Sequence, residues 1–184
     1  MKRAFHGVRG SGHKTMPGKP LPDAEQLLQA LTDQMRPAVG PDSGLIGIHT
    51  GGVWIAQRLH QALKLQVPCG TLDVSFYRDD YRKIGLHRDV KTSTISFDVE
   101  GRHLVLVDDV LYTGRTIRAA MNELFDYGRP ASIRLAALVD RGGRELPIAA
   151  QFVGAAVSLE PHQIIELKRD DKGRLSLVLS EERS

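Results

Sequence analysis

Along the chain, short continuous apolar runs alternate with longer stretches in which apolar residues return every three or four positions. The first kind reads as buried strands and the second as helices with one face toward a core. Asp23 caps a predicted helix whose Leu27, Leu28, Leu31 and Met35 share a face; Gln26 stands where a capping box would close, and Pro37 stops the helix. Residues 45–49 form a predicted strand entering Thr50-Gly51-Gly52, and residues 53–65 a helix with Ile55, Ala56, Leu59 and Leu63 inward. The order then repeats: a strand at 103–107, a loop through Gly114, and a helix with Ile117, Ala120, Met121, Leu124 and Phe125 on one face. Trp54 and Phe125 accordingly read as packing residues. Further strands are expected at 133–139, 152–157, 164–168 and 175–179, with a hairpin turn at 170–173. Residues 77–101 are polar and charged, and Ile95, Phe97 and Val99 alternate near their end, as in a mobile excursion holding a β-ribbon.

Strands alternating with helices predict an α/β fold: a central, mostly parallel sheet flanked by helices, with ligands gathered at the carboxyl ends of the strands. Both glycine loops fall at such ends. The length of 184 residues suits one domain. With 41% apolar and 26% charged residues, and no apolar run near the ~18 residues of a membrane span, the chain reads as an ordinary globular protein and not as a membrane protein. Cys69 is the only cysteine, which rules out an internal disulfide or a Cys-based zinc site and points to the reducing cytosol. The net charge of +3 is local, because Lys2, Arg3, Arg9, Lys14 and Lys19 crowd the first 20 residues without an acid. Without them 20 basic residues face 22 acidic ones, so the rest of the chain carries no overall footprint for nucleic acid. Residues 1–22 read as a disordered basic extension and 23–184 as the folded domain. The seven histidines show no metal-ligand spacing.

Candidate chemistry concentrates after the strand at 103–107. Adjacent carboxylates, Asp108 and Asp109, are costly at a strand end unless a ribose diol or a hydrated Mg²⁺ accepts them. The following Tyr112-Thr113-Gly114-Arg115-Thr116 offers backbone N–H groups, two hydroxyls and a helix N-terminus, a set suited to a phosphate dianion. Either feature alone would read as a surface turn capped by Thr116. Their combination argues for a sugar-phosphate site.

The segment Val105-Leu-Val-Asp-Asp-Val-Leu-Tyr-Thr-Gly-Arg-Thr-Ile117 resembles the signature with which type I phosphoribosyltransferases bind 5-phosphoribosyl-1-diphosphate (PRPP). Tyr77-Arg-Asp-Asp80, Asp126-Tyr-Gly-Arg-Pro130 and Leu138-Val-Asp-Arg-Gly-Gly-Arg-Glu-Leu-Pro147 are similar to the PyrR family, which combines pyrimidine operon regulation with uracil phosphoribosyltransferase activity. The likeness spans roughly residues 23–180. It implies the type I phosphoribosyltransferase fold, with a mobile loop and a small hood. Asp108 and Asp109 would hold the ribose hydroxyls, and Thr113, Gly114, Arg115 and Thr116 the 5-phosphate. Thr50, Gly51 and Gly52 would form the pyrophosphate loop, where a cis peptide is unsurprising. Because Gly51-Gly52 brings no charge, Mg²⁺ carried by PRPP near Asp108 and Asp109 and a cation from elsewhere must neutralise the diphosphate; Arg78 is the first candidate, ahead of Arg82 and Lys83. Purine-using relatives carry an acid where Tyr112 stands, so Tyr112 leans toward a pyrimidine, with Asp140 and Arg141 at the base and Arg141 stacking on it.

The implied reaction converts uracil and PRPP to UMP and diphosphate. The alternatives are a uridine-nucleotide-sensing attenuation regulator that binds pyrimidine leader RNA, or a transferase for another base. RNA-binding relatives place basic residues and a histidine on the first helix, a histidine in the Asp-Arg-Gly segment and a lysine further on. Here residues 24–35 contain no Lys or Arg, and Gly143 and Ala155 fill the other places, which argues against attenuation by that surface. The resemblance further implies homodimers or homotetramers, and the single cysteine a cytoplasmic location.

Overall fold

The computed structural model describes residues 21–74 and 92–181. Helix α1 (Ala24–Met35) starts at Asp23, whose carboxylate accepts from the N–H groups of Glu25 and Gln26. Among the described residues the reciprocal bond expected from Gln26 is not formed. Glu25 instead accepts from the Arg58 guanidinium at 2.8 Å and from the Leu175 N–H at 2.8 Å.

Five strands, β1 (Gly44–Ile48), β2 (Gly70–Leu72), β3 (His103–Leu111), β4 (Ser132–Asp140) and β5 (Phe152–Ala156), form one parallel sheet in the order β2-β1-β3-β4-β5. Alternation divides each central strand between two cores. Leu45, Val105, Val107 and Leu138 meet α1 and helix α2 (Gly51–Leu63), while Ile46, Leu104, Leu106 and Leu135 meet helix α3 (Arg115–Phe125) on the other face. Strands β6 (Gln163–Arg169) and β7 (Leu175–Glu181) form an antiparallel hairpin whose Ile165, Leu167 and Leu175 join the first core. Its turn is built by Asp170, which accepts from the N–H groups of Lys172 and Arg174.

Several boundaries differ from expectation. β3 runs to Leu111, so the acid pair lies within the strand and not on a turn after it, because its backbone keeps pairing with β4. α2 begins two residues early, at Gly51. Phe125 is 56% exposed and is not a packing residue. It closes α3 and lies roughly 80° around the helix from the Ile117–Leu124 line, since each residue turns about 100°. Trp54 does pack on the first core, with the Arg169 guanidinium 4.8 Å from its ring. Of the excursion, Thr94 makes an antiparallel bridge to Thr71, and Ile95, Phe97 and Val99 pack against the second core. Residues 77–91 of it, including Tyr77, Arg78, Asp80, Arg82 and Lys83, lie outside the described residues, as do residues 1–20 and 182–184. No helix among the described residues is long and apolar enough to cross a membrane.

Strand order 2-1-3-4-5 reverses direction between β1 and β3, and a doubly wound sheet opens its ligand crevice at such a switch point, beyond the carboxyl ends of the strands. Topology alone therefore brings Thr50–Gly52 and the acid pair of β3 together.

Candidate functional site

At that switch point the chain passes from β1 through His49 and Thr50 into α2, and the His49–Thr50 peptide is cis. Gly51 and Gly52 occupy the first turn of α2, where helical N–H groups have no partner within the helix. Both are pressed against β3. A Cβ on Gly51 would stand 2.3 Å from the Asp109 Oδ2, and one on Gly52 would stand 2.3 Å from the Val107 carbonyl oxygen. Only a backbone without side chains fits there. The Asp109 carboxylate thus leans over the helix N-terminus, while Asp108 is buried and its carboxylate accepts from the Asp109 N–H at 3.0 Å.

The second turn follows β3. Gly114 caps α3 with φ of +91°, a conformation that side-chain-bearing residues rarely adopt. Thr113 is buried, and its hydroxyl accepts from the Arg115 N–H at 3.3 Å. The Arg115 guanidinium pairs at 2.7 Å with Glu145, whose own N–H donates to the Thr113 carbonyl at 3.0 Å. Thr116 supplies no cap; Gly114 does that.

Beyond β4 the chain folds back over this turn. Arg141 lays its guanidinium 3.8 Å from the centre of the Tyr112 ring, and Tyr112 itself is 43% exposed. The Asp140 carboxylate accepts from the Arg144 guanidinium at 2.5 Å and from the Gly142 N–H at 2.9 Å. Partial burial pushes the Asp140 carboxyl up, but the Arg144 hydrogen bond and charge and the Gly142 amide outweigh it and hold the group below the ordinary carboxylate range. Cys69 takes no part. Burial pushes its thiol up to about 11, which leaves it protonated near neutral pH.

Every described residue singled out in the sequence therefore lies at one end of the sheet: Thr50, Gly51, Gly52, Asp108, Asp109, Tyr112 to Thr116, Asp140 and Arg141. Arg144 and Glu145 were missed. Each ties the segment after β4 to the turn after β3, and their only sequence signal was membership of the Asp140-Arg-Gly-Gly-Arg-Glu run. Among the described residues no three His, Cys, Asp or Glu side chains cluster as a metal cage. Two carboxylates beside the N-terminal N–H groups of a helix suit a cation that brings most of its own oxygen ligands, as Mg²⁺ does with phosphates.

A cleft of about 610 Å³ opens at the opposite end of the sheet, among Pro41, Asp42, Glu100, Arg102, His103 and Arg134. Volume does not make it the better candidate. Arg102 is tied to the carbonyls of Asp98 and Asp42 and Arg134 to that of Ala38, and the acids Asp42 and Glu100 balance them.

The sequence matches the family described as phosphoribosyl transferase domain over residues 25–167. The Bifunctional protein PyrR of Pseudomonas savastanoi pv. phaseolicola is 50% identical over 161 residues, which cover 85% of this chain and 95% of that protein. The Bifunctional protein PyrR of Nitrosococcus oceani is 50% identical over 153 residues, 82% of this chain and 86% of the relative. Among solved structures, the hypoxanthine phosphoribosyltransferase of Trypanosoma cruzi superposes with a TM-score of 0.61 over 88% of this chain and 95% of that one; at 22% identity it speaks for the fold alone. With its acid pair, its two glycine turns and these relatives in agreement, the chain belongs to the phosphoribosyltransferase family and, within it, to the PyrR proteins.

Proposed function

We propose that the protein transfers the 5-phosphoribosyl group from PRPP to uracil, giving UMP and diphosphate. The observation that carries this reading is the Asp109 carboxylate resting on Gly51, which joins a diol-binding acid pair to a helix N-terminus beside the Thr113–Gly114 turn. PRPP requires all three functions at once. Asp108 and Asp109 accept from the two ribose hydroxyls, and the turn at Thr113, Gly114, Arg115 and Thr116 receives the 5-phosphate with N–H groups, hydroxyls and a cation. Thr50, Gly51 and Gly52 present backbone N–H groups to the diphosphate. Asp108 and Asp109 would hold Mg²⁺ entering with PRPP, which would supply charge neutralisation for the diphosphate. Gly51 and Gly52 carry no cation, and Arg78, with Arg82 and Lys83 behind it, remains the proposed source of one.

The chemistry needs no protein nucleophile. Breaking the C1–diphosphate bond generates cationic character on the ribose, and the carboxylates Asp108 and Asp109 stabilise it while fixing the ring in line with the base nitrogen. The base packs against the wall that Tyr112 and Arg141 form together, with Asp140 beside it. An uncharged Tyr112 beside Arg141 favours a pyrimidine, whose ring offers carbonyl acceptors, over a purine that profits from an acid. Purified protein given labelled uracil, PRPP and Mg²⁺ is expected to form UMP, and conversion of a purine or orotate in place of uracil would refute the substrate assignment.

The regulatory half receives less support from this surface. The exposed side of α1 presents Gln29, Asp33 and Gln34, with Gln29 donating to Asp33 and Gln34 bonding the backbone of Val153. A salt-controlled gel shift with a pyrimidine leader RNA tests it, and specific binding tightened by UMP would restore the regulator reading.

A further inference from the structure

Arg144 sits where three pieces of the site meet. Its side chain is 22% exposed, and the guanidinium reaches the Asp140 carboxylate at 2.5 Å, the Tyr112 carbonyl at 2.6 Å and the Ile148 carbonyl at 3.0 Å. The carbonyls of Leu111 and Gly142, each at 3.4 Å, complete the ring of acceptors. One planar fork therefore ties the end of β4, the end of β3 and the segment that folds back over them. No lysine could do this, since an ammonium is a point donor on a flexible stem. The neighbouring side chain repeats the tie on the phosphate side, where Glu145 pairs with Arg115. What the fork holds in register is the ring of Tyr112, which carries the Arg141 guanidinium on its face and meets Gly143 at its edge. A Cβ on Gly143 would fall 2.4 Å from Tyr112 Cε2, and the φ of +71° at Gly143 strains any side chain there.

We propose that Arg144 is a positioning residue for base recognition: it latches residues 140–148 onto the end of β3, so that the Tyr112–Arg141 wall stands at a fixed distance from the PRPP turn before the base arrives. The latch lies on the base side. Asp108, Asp109 and the Thr50–Gly52 loop make none of its contacts, so loss of the fork leaves PRPP binding nearly intact and loosens the base site. A wall displaced by about 1 Å costs on the order of a hundredfold in a positioned reaction.

The inference rests on the site being a phosphoribosyltransferase that accepts a free base, and the test separates the two. Wild type, Arg144→Ala, Arg144→Lys and Asp140→Asn are assayed with PRPP and Mg²⁺ against uracil, hypoxanthine and orotate, with melting temperatures recorded for each. The latch predicts that Arg144→Ala raises the KM for the base at least tenfold while the KM for PRPP stays within about twofold. It also predicts that Arg144→Lys behaves like Arg144→Ala, and that added methylguanidinium at millimolar concentration lowers the base KM of Arg144→Ala alone. Asp140→Asn, which keeps the shape and loses the charge, shows the same selective rise in smaller measure and carries the test should Arg144→Ala fail to fold. Parallel changes in both KM values that track the melting temperature, with no response to methylguanidinium, would overturn the latch. Turnover of no base by the wild type would overturn the functional reading itself.

Discussion

At the end of β1 the chain enters α2 through Thr50, Gly51 and Gly52, and at the end of β3 it enters α3 through Tyr112, Thr113 and Gly114. Both are strand-to-helix turns that aim N–H groups at the same crevice, yet they are built differently. The first depends on space: Gly51 and Gly52 have ordinary helical backbones, and their hydrogens alone fit against Asp109 and Val107. The second depends on conformation: Gly114 needs its positive φ, but the nearest obstacle to a side chain is Ile148, a side chain able to give, at 3.3 Å. A turn set by contact with a neighbouring strand is intolerant of a single methyl group, whereas one set by a dihedral angle is strained and stays usable. The contact turn is also the one that lacks a cation of its own, which suits the Mg²⁺-bearing diphosphate proposed for it.

Gly52→Ala is the most damaging substitution expected at either turn. Its methyl would meet a backbone carbonyl of β3 that cannot move without the sheet, an overpacking cost of about 1–3 kcal/mol or more. The melting temperature is expected to fall by about 2–4 °C per kcal/mol, and turnover by roughly a hundredfold as α2 is displaced from Asp109. Calorimetry and a PRPP-dependent assay read both. Asp109→Asn comes next. It preserves the volume over Gly51 and removes one charged acceptor for the ribose, worth roughly 1.5–3 kcal/mol, so turnover drops about ten- to hundredfold with an unchanged melting temperature. Full activity in this variant would remove the diol role. Gly114→Ala is milder: about 1–2 kcal/mol of left-handed backbone strain is expected, with less than about a tenfold loss of activity. A collapse as severe as that of Gly52→Ala would erase the distinction between the turns.

The smallest effect lies away from both turns. Burial raises the Glu25 carboxyl, but the Arg58 hydrogen bond and the Leu175 N–H outweigh it and leave the group below its ordinary value of 4.5. A carboxylate lowered in the folded state contributes stability above the unfolded value, and that contribution is lost as pH falls through the folded one. Glu25→Gln is therefore expected to melt slightly below the wild type at neutral pH, the gap closing as the pH drops below about 4.5. A gap that persists in acid would mean that the link from α1 to Arg58 and Leu175 is steric and not ionic.

Much of this end of the molecule is legible in the sequence because it is local. The apolar runs at residues 45–48 and 104–107 announce the two central strands, and the acids, hydroxyls and glycines that follow each are contiguous with them. The early start of α2 was hidden because two glycines at a helix start look like a loop by propensity; their contact with β3 makes the helix. The three-residue β2 is too short to show a period. The Arg144 fork was invisible for a stronger reason: Tyr112 and Leu111 accept through backbone carbonyls more than thirty residues away, and a carbonyl leaves no mark on residue identity. Likewise, the resemblance that proposes Arg141 for the base says nothing of Tyr112, the ring it stacks on in the folded chain.

The claim that joins both turns to a chemistry is tested most directly by base competition: purified protein, PRPP and Mg²⁺ with labelled uracil, challenged by unlabelled hypoxanthine, guanine and orotate. PRPP-dependent formation of UMP is expected, suppressed by unlabelled uracil and not by the other bases. Efficient use of a purine or orotate with no UMP formed from uracil would contradict it.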